Sequence, residues 1–365
     1  MSEILSSKIS NFFKKRNFNK ILIISGKKSF IKSGAKKFVL KITKNKNNYI
    51  YLKKNSIPKF EELKSIISFK EKIKPDLIIG IGGGCVMDYA KIASVFKKTK
   101  DLKKRIKSSN FNTFKTKVLA IPTTAGSGAE VTSNAVIYLK KLKHSVEGKL
   151  VKPNYYCLIP DLILSSKIKN DASSGIDAIC QATESLFSIK SNKKSIWYAK
   201  KSLSILFKNF SNFLKKKNKK NSYKMLLGAN YAGKAINISK TTLPHAVSYP
   251  FTSYFNIPHG HAVSLSINKF LNFIYFNKNK NSSLFSLSDR FQILFKLTNT
   301  KNIFELNDYF LKIKKISNLE QDFNKLGINI TKKFKIISSG INNKRLKNNP
   351  IQVNLKDIKE ILINY

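Results

Sequence analysis

Short apolar runs in the N-terminal part of the chain constrain its fold most strongly. Apolar side chains occupy nearly every position of each run, as expected for parallel strands that are buried on both faces. Segments with a helical spacing of apolar residues lie between the runs, and this alternation predicts an α/β domain with a parallel sheet. The predicted strands are 21–24, 76–81, 118–121 and 155–159, and the predicted helices between them include 59–69 and 86–96.

Longer helical patterns replace the strands after about residue 166. The sequence therefore predicts an α/β domain over 1–165, followed by an all-helical domain over 166–365. Polar stretches at 215–220 and 277–281 are expected to be loops. The predicted helices of the second domain are 175–189, 195–214, 223–237 and 285–297.

The net charge of the chain is unusually high, at +49 from 69 Lys and Arg against 20 Asp and Glu. Such a charge is typical of nucleic-acid-binding proteins, which are the alternative class here. The excess is spread along the whole chain as lysine among asparagine, isoleucine and serine, without an arginine-rich arm or zinc-finger spacing. We interpret it as compositional drift with solvated lysines on every face, and expect no specific nucleic-acid partner.

No apolar run is long enough to span a bilayer, so no membrane association is expected. The segment 1–20 is polar and basic and lacks the apolar centre of a secretory signal, which favours a cytoplasmic location. Three cysteines without a CxxC spacing argue against a disulfide framework and against a thiolate metal site. Histidine is more informative, because three of the four histidines lie between positions 245 and 261.

Two glycine-containing segments follow predicted strands. Gly82, Gly83 and Gly84 lie between a strand and a helix, where backbone N–H groups and the helix dipole suit a pyrophosphate. A plain tight turn is the alternative, since the segment is not the usual GxGxxG pattern. The second segment, 121–132, carries small hydroxyl residues that suit a cofactor or, alternatively, a polar turn that caps a helix.

Asp177 and Gln181 are four residues apart in a helical pattern, so they lie one turn apart on one face. Both offer an oxygen to a metal, although a solvent-facing polar pair is the alternative. His245 and His259 flank a loop-like stretch and converge if one ends a helix and the other begins the next. Imidazole nitrogen is a good ligand for iron and zinc, so these residues are candidate metal ligands.

These four segments, in this order and at these separations, resemble the iron-containing (group III) alcohol dehydrogenase family. The resemblance runs from about Lys20 to 347–350 and is strongest over 82–265. It implies a dinucleotide-binding α/β domain, a helical domain that binds metal and substrate, and an NAD(P)-linked oxidoreductase that acts on alcohols or aldehydes. The triple glycine and the TTAGSGAE segment favour this branch over related non-redox enzymes such as dehydroquinate synthases. A homodimer is a family expectation.

For the metal, the resemblance implies ligation by Asp177, His245 and His259, with Gln181 where the family usually has a histidine. Fe2+ is expected, with Zn2+ or Mn2+ as alternatives. Tyr249 replaces a family histidine that is often linked to proton relay. Tyr249 and His261 are therefore the predicted catalytic side chains.

For the cofactor, the resemblance implies contacts from two loops and from a lysine near the ribose. Gly26 ends the first predicted strand, where NAD-preferring members have an Asp that accepts from the ribose hydroxyls and repels a 2′-phosphate. With glycine there, and lysines directly after it, NADPH is predicted to be used at least as well as NADH. The predicted contact residues are Gly26, Gly82, Gly83, Gly84, Asp88, Thr123, Thr124, Ser127 and Lys143.

A narrower resemblance, to phosphonoacetaldehyde reductases, appears in 143–145, in the pairing of Asp177 with Gln181 and in 232–246. It implies reduction of phosphonoacetaldehyde to 2-hydroxyethylphosphonate. On this interpretation Lys240 and Thr241, with Thr242, bind the phosphonate by charge-assisted hydrogen bonds. A solvated role for Lys240 and a general short-chain alcohol or aldehyde as substrate are the alternatives.

Overall fold

The computed structural model describes residues 1–111 and 115–364. The chain forms two compact units. The first comprises Met1–Ser166 and Asn218–Leu226, and the second comprises Lys167–Lys217 and Leu227–Tyr365. The predicted domain boundary at 165/166 stays a prediction, and the segment Asn218–Leu226, which that prediction assigns to the second domain, lies in the first unit.

The first unit contains a six-stranded sheet in which all neighbouring strands are parallel. Its strand order is β1-β8-β5-β4-β2-β3, and β6 and β7 form a separate antiparallel hairpin. The strands are β1 (Ser2–Glu3), β2 (Lys20–Gly26), β3 (Asn47–Lys53), β4 (Leu77–Gly82), β5 (Lys117–Pro122), β6 (Asn134–Leu139), β7 (Leu142–Glu147) and β8 (Tyr155–Tyr156). The helices of Met1–Ser166 are α1 (Ile9–Lys14), α2 (Lys27–Lys32), α3 (Ala35–Ile42), α4 (Phe60–Ile73), α5 (Gly84–Val95) and α6 (Leu102–Ser108).

Two apolar cores cover the two faces of this sheet. Successive residues of a strand point to opposite faces, so Leu22 and Ile24 belong to one core while Ile21 and Ile23 belong to the other. The first core includes α4 and α5, and the second includes α1 and α3. Burial on both faces explains why β2 is a continuous apolar run rather than an alternating one.

The predicted fold class is confirmed, and β2, β4 and β5 lie where the apolar runs predict them. The fourth strand is shorter than predicted, because only Tyr155 and Tyr156 pair before the chain turns into the helical turn Pro160–Ile163. Strand β3 and the hairpin are not predicted. The side chains of β3 are partly or fully exposed, which gives the strand a mixed polar sequence without a clear apolar run.

Helices make up the second unit, and its described residues contain no strand. None of the helices in the described part of the chain is long and apolar enough to cross a membrane. The remaining helices are α7 (Ile168–Phe187), α8 (Lys193–Lys215), α9 (Lys219–Ser239), α10 (Leu243–Phe255), α11 (His259–Phe276), α12 (Leu287–Thr298), α13 (Ile303–Ser317), α14 (Ile330–Ser339), α15 (Asn343–Leu346) and α16 (Leu355–Asn364).

Most of the stretch between His245 and His259 is helical, because α10 runs to Phe255, and the prediction of a loop there is wrong. His245 lies in the first turn of α10 rather than at the end of a helix, and His259 is the first residue of α11, as predicted. Pro250 lies inside α10, where its missing N–H would leave the Ala246 carbonyl without its helical partner. The backbone N–H of Asn342 donates to that carbonyl at 3.4 Å, so a distant segment compensates for the proline.

Candidate active site

Asp177, His245 and His259 come together inside the second unit. One ligand atom from each lies within 4.8 Å of the others. Oδ1 of Asp177 is 3.3 Å from Nε2 of His245, and the two imidazole centroids are 5.4 Å apart. Asp177 and His245 are buried and His259 is half-buried. The three side chains come from α7, α10 and α11, so helix packing sets the geometry of the cluster.

Gln181 lies one turn after Asp177 on α7 and is 3% exposed. Its Oε1 atom and Nε2 of His245 are buried and lack a hydrogen-bond partner among the described residues. A buried polar atom without a partner is costly, and a bound cation would satisfy both atoms. Two imidazole nitrogens, a carboxylate and an amide oxygen form a donor set that suits a divalent metal, so the residues fit the predicted site.

Glu184 supports this cluster and was not identified from the sequence. Its side chain is fully buried, and its Oε1 pairs with Nδ1 of His245. Its Oε2 accepts from the backbone N–H of Thr242 at 2.8 Å and from the Thr242 hydroxyl at 3.0 Å. Asp177, Gln181 and Glu184 follow an i, i+4, i+7 spacing, which places all three on one helix face. This spacing is the feature of the sequence by which Glu184 could have been identified.

The two carboxylates dominate the electrostatics of His245. Burial lowers the pKa of His245, but Glu184 and Asp177 outweigh it and raise this pKa to about 10. Two buried carboxylates around one imidazole make the cluster anionic whenever His245 is neutral. A divalent cation is the natural counter-charge for such a site.

Gly260 brings α11 close enough to α7 to complete the cluster. A Cβ atom at Gly260 would lie 1.9 Å from the Ser173 carbonyl oxygen and 2.8 Å from Cβ of Asp177. Only a residue without a side chain fits here, since the nearest atom belongs to the backbone of α7. Gly260 follows His259 directly, so this close approach holds His259 next to Asp177. It is a second site residue that the sequence reasoning missed.

The two predicted catalytic side chains differ in their surroundings. Tyr249 is buried in α10, and its ring centroid is 5.9 Å from that of His259. His261 lies outside the cluster, because it follows the candidate ligand His259 by two residues in α11 and residues two apart on a helix point to different faces. Nε2 of His261 bonds instead to the backbone carbonyl of Glu320, and burial lowers the pKa of this histidine. The structure therefore brings Tyr249 to the candidate ligands and does not bring His261.

The predicted phosphonate-binding residues lie in the connection between α9 and α10. Lys240 is half-buried with φ 64°, and Thr241 is 4% exposed, with its carbonyl accepting from Asn348. The hydroxyl of Thr242 donates to Glu184, so this side chain supports the metal cluster. Lys240 and Thr241 remain the candidates for substrate binding.

The predicted cofactor loops lie together in the first unit. The N–H of Thr123 donates to the carbonyl of Gly82 at 3.0 Å. A Cβ atom at Gly83 would meet Thr124 at 3.4 Å, and one at Gly84 would meet the Ser127 hydroxyl at 3.0 Å. Gly83 precedes α5, whose N-terminus has no side-chain cap. The arrangement offers backbone N–H groups and hydroxyls to an anionic ligand such as a pyrophosphate.

Asp88 and Lys143 lie near these loops. Burial raises the pKa of Asp88 to about 6, while the charges of Lys91 and Lys143 and a hydrogen bond from the backbone of Val136 act in the opposite direction. Lys91 is fully buried, and its Nζ donates to the Ala129 carbonyl, the Thr132 hydroxyl and the Asn134 carbonyl. Lys91 thus fixes the loop that follows β5 against α5.

Gly26 ends β2, at the same edge of the sheet as the ends of β4 and β5. Ligands of open parallel sheets bind beyond the carboxyl ends of the strands. A Cβ atom at Gly26 would meet the Ser29 hydroxyl at 2.6 Å, and Lys27 and Lys28 are exposed. The position therefore carries positive charge and no carboxylate, and the use of NADPH at least as well as NADH stays a prediction.

Comparison with known proteins identifies the family. The sequence model of the iron-containing alcohol dehydrogenase family matches residues 5–164. The sequence model of the C-terminal part of the Fe-containing alcohol dehydrogenase family matches residues 171–365. The chain is 28% identical over 235 residues to 4-hydroxybutyrate dehydrogenase of Clostridium kluyveri, with 62% of each chain covered. It is 29% identical over 215 residues to phosphonoacetaldehyde reductase of Streptomyces viridochromogenes, covering 55% of this chain and 54% of the relative.

The matches to these curated relatives thus span less than two thirds of the relatives' length. Among solved structures, sulfoacetaldehyde reductase from Bifidobacterium kashiwanohense in complex with NAD+ has a TM-score of 0.87 at 20% identity. The match covers 99% of this chain and 96% of that chain, which shows the same fold. With both family models matched along nearly all of its length, the chain belongs to the iron-containing alcohol dehydrogenase family.

Proposed function

We propose that the protein is a metal-dependent, NAD(P)H-linked alcohol dehydrogenase or aldehyde reductase. The observation that carries this proposal is the cluster of Asp177, His245 and His259, of which the first two are buried, with the partnerless oxygen of Gln181 one turn away from Asp177. These four residues would hold a divalent metal, with Fe2+ expected and Zn2+ or Mn2+ as alternatives. The loops with Gly83, Gly84, Thr124 and Ser127 would bind the pyrophosphate of NADPH or NADH.

When bound, the metal supplies Lewis acidity toward a carbonyl oxygen and the nicotinamide supplies the hydride. The residues of the chain bind and orient these groups, and they keep the site dry because Asp177, Gln181 and His245 are buried. Tyr249 packs near His259, and its hydroxyl is our candidate for passing a proton to the product alcohol. The same role for His261 stays a prediction.

We propose phosphonoacetaldehyde as the substrate, reduced to 2-hydroxyethylphosphonate. Support comes from relatives whose names give substrates with a short carbon chain and an anionic end, namely 4-hydroxybutyrate, phosphonoacetaldehyde and sulfoacetaldehyde. Lys240 lies five residues before His245 and offers a positive charge for such an end. A cytoplasmic location and a homodimer also stay predictions.

NADPH oxidation with a panel of aldehydes tests the function directly. We expect turnover with phosphonoacetaldehyde at a lower KM than with acetaldehyde or propanal. Equal KM values would favour a general short-chain alcohol dehydrogenase. Salt-sensitive binding to random DNA, without oxidation of NADPH by any aldehyde, would instead support the nucleic-acid-binding class.

Replacing Lys240 with alanine is expected to raise the KM for phosphonoacetaldehyde by about 10- to 100-fold. Loss of one charge-assisted hydrogen bond costs about 1.5–3 kcal/mol, which corresponds to this factor. The KM for propanal should not change, because propanal has no anionic end. Lys200→Ala is the matched control, since it removes an exposed lysine of α8. A similar KM change for both aldehydes would exclude phosphonate binding by Lys240.

The Gly26→Asp variant is expected to prefer NADH. A carboxylate at this position repels a 2′-phosphate and accepts from ribose hydroxyls, so the ratio of kcat/KM for NADPH to that for NADH should fall by about 10- to 100-fold. The Ser29 hydroxyl, which lies nearest to the new Cβ, is the end of a side chain and can rotate. Gly26→Ala adds the same Cβ without charge and should keep the wild-type ratio. A wild-type enzyme with a large preference for NADH would refute the prediction.

A further inference from the structure

Glu184 contacts two different groups with its two carboxylate oxygens. Oε1 pairs with Nδ1 of His245. Oε2 accepts from the N–H and hydroxyl of Thr242, and from the N–H of His245 at 3.4 Å. Thr242 and His245 form the start of α10, so Oε2 caps this helix from α7. With both oxygens engaged and the side chain fully buried, the carboxylate has one fixed orientation.

This orientation determines which ring nitrogen of His245 carries the proton when the imidazole is neutral. A carboxylate only accepts hydrogen bonds, so the nitrogen that faces Glu184 must be Nδ1–H. Nε2 then keeps its lone pair. Nε2 is the atom that lies 3.3 Å from Oδ1 of Asp177, within the candidate metal cluster.

We propose that Glu184 is a positioning residue that holds His245 in the Nδ1–H form and thereby presents Nε2 to a divalent cation. The inference rests on the proposed metal site and extends it to a residue outside the ligand set. Metal-binding histidines commonly donate their second N–H to a carboxylate, and loss of that partner lowers metal affinity by about 10- to 100-fold.

Replacing Glu184 with glutamine gives a sharp test, because glutamine is nearly the same size but has one donor and one acceptor. The backbone N–H of Thr242 requires an acceptor, so the glutamine oxygen must face Thr242. The glutamine NH2 group then faces Nδ1 of His245 and requires a lone pair there. The ring proton is forced onto Nε2, where it blocks the cation.

The first measurement is the Zn2+ affinity of the full-length protein, determined by competition with a chelator. We expect Glu184→Gln to bind Zn2+ about 10- to 100-fold more weakly than wild type. Glu62→Gln is the matched control. Glu62 is a buried carboxylate of the first unit that also accepts two backbone N–H bonds, from Lys54 and Asn55, and its loss should leave Zn2+ affinity unchanged.

The second measurement identifies the tautomer by 15N NMR of histidine-labelled protein, which is practical because the chain has four histidines. In the Zn2+-saturated wild type, His245 should carry a proton at Nδ1 and coordinate through Nε2. In Glu184→Gln it should carry the proton at Nε2. If this variant is insoluble, the wild-type spectrum alone decides, since a His245 without a proton at Nδ1 overturns the proposal.

The outcomes separate this inference from the proposed function. A wild type that binds Zn2+ and a Glu184→Gln variant with the same affinity overturn the role of Glu184 and leave the metal site intact. A wild type that binds no divalent metal overturns both. Weaker Zn2+ binding with the shifted ring proton supports the proposal, because a merely structural role would not move the proton.

Discussion

Replacing His259 with alanine is expected to abolish metal binding and to lower aldehyde-dependent NADPH oxidation by about 10³-fold or more. His259 supplies one of three ligand atoms that lie within 4.8 Å of one another, so its loss leaves an incomplete site. A Lewis acid provides several kcal/mol of transition-state stabilisation, and each 1.36 kcal/mol corresponds to a factor of ten in rate. Metal analysis of the purified variant and steady-state kinetics measure the two effects.

The matched control is His144→Ala, which removes a histidine from β7 in the first unit. It should keep wild-type metal content and should not reproduce the loss of turnover. A His259→Ala variant with full activity and full metal content would refute the assignment of this ligand. Both measurements are needed, because loss of activity alone does not distinguish a missing metal from a misfolded protein.

Gly260→Ala is expected to have the second largest effect. The added methyl group would lie 1.9 Å from the Ser173 carbonyl oxygen, so α11 and α7 must move apart. Overpacking of this kind costs about 1–3 kcal/mol, which corresponds to a fall in the thermal midpoint of roughly 2–12 °C for a unit of this size. The movement also separates His259 from Asp177, so metal affinity should fall together with stability.

Gly83→Ala is the control for Gly260→Ala. It adds the same methyl group, but the nearest atom is the Thr124 hydroxyl oxygen at 3.4 Å, and the backbone at Gly83 is extended. Its thermal midpoint and metal affinity should stay close to wild type, although cofactor binding is expected to weaken. A Gly260→Ala variant with the stability and metal affinity of wild type would show that the helices do not need this close approach.

The sheet was largely predictable from sequence because burial on both faces makes β2, β4 and β5 nearly continuous apolar runs. Strand β3 has no such run, because its side chains are partly or fully exposed. The helix α10 was hidden by Pro250, which ordinarily ends a helix. Its compensation, the N–H of Asn342, lies far along the chain and is known only from the tertiary structure.

Spacing and residue type make Asp177, Gln181, His245 and His259 candidate ligands, the family resemblance joins them into one set, and the structure brings Asp177, His245 and His259 together. The supporting residues were not named. Glu184 shares the i, i+4, i+7 spacing of Asp177 and Gln181, so periodicity could have identified it. Gly260 could not be identified in this way, because its role depends on the distance between two helices. His261 points away from His259 because both lie in one helix, and this could be inferred only once α11 was known to begin at His259.

Restoration of activity to metal-depleted protein tests the central claim most directly. The protein is treated with a chelator, and NADPH oxidation with phosphonoacetaldehyde and with propanal is then followed while Fe2+ is added, with Zn2+ and Mn2+ in parallel. We expect negligible oxidation before addition, and activity that saturates at one bound metal ion per chain. Full aldehyde-dependent oxidation by protein that contains no metal would contradict the account.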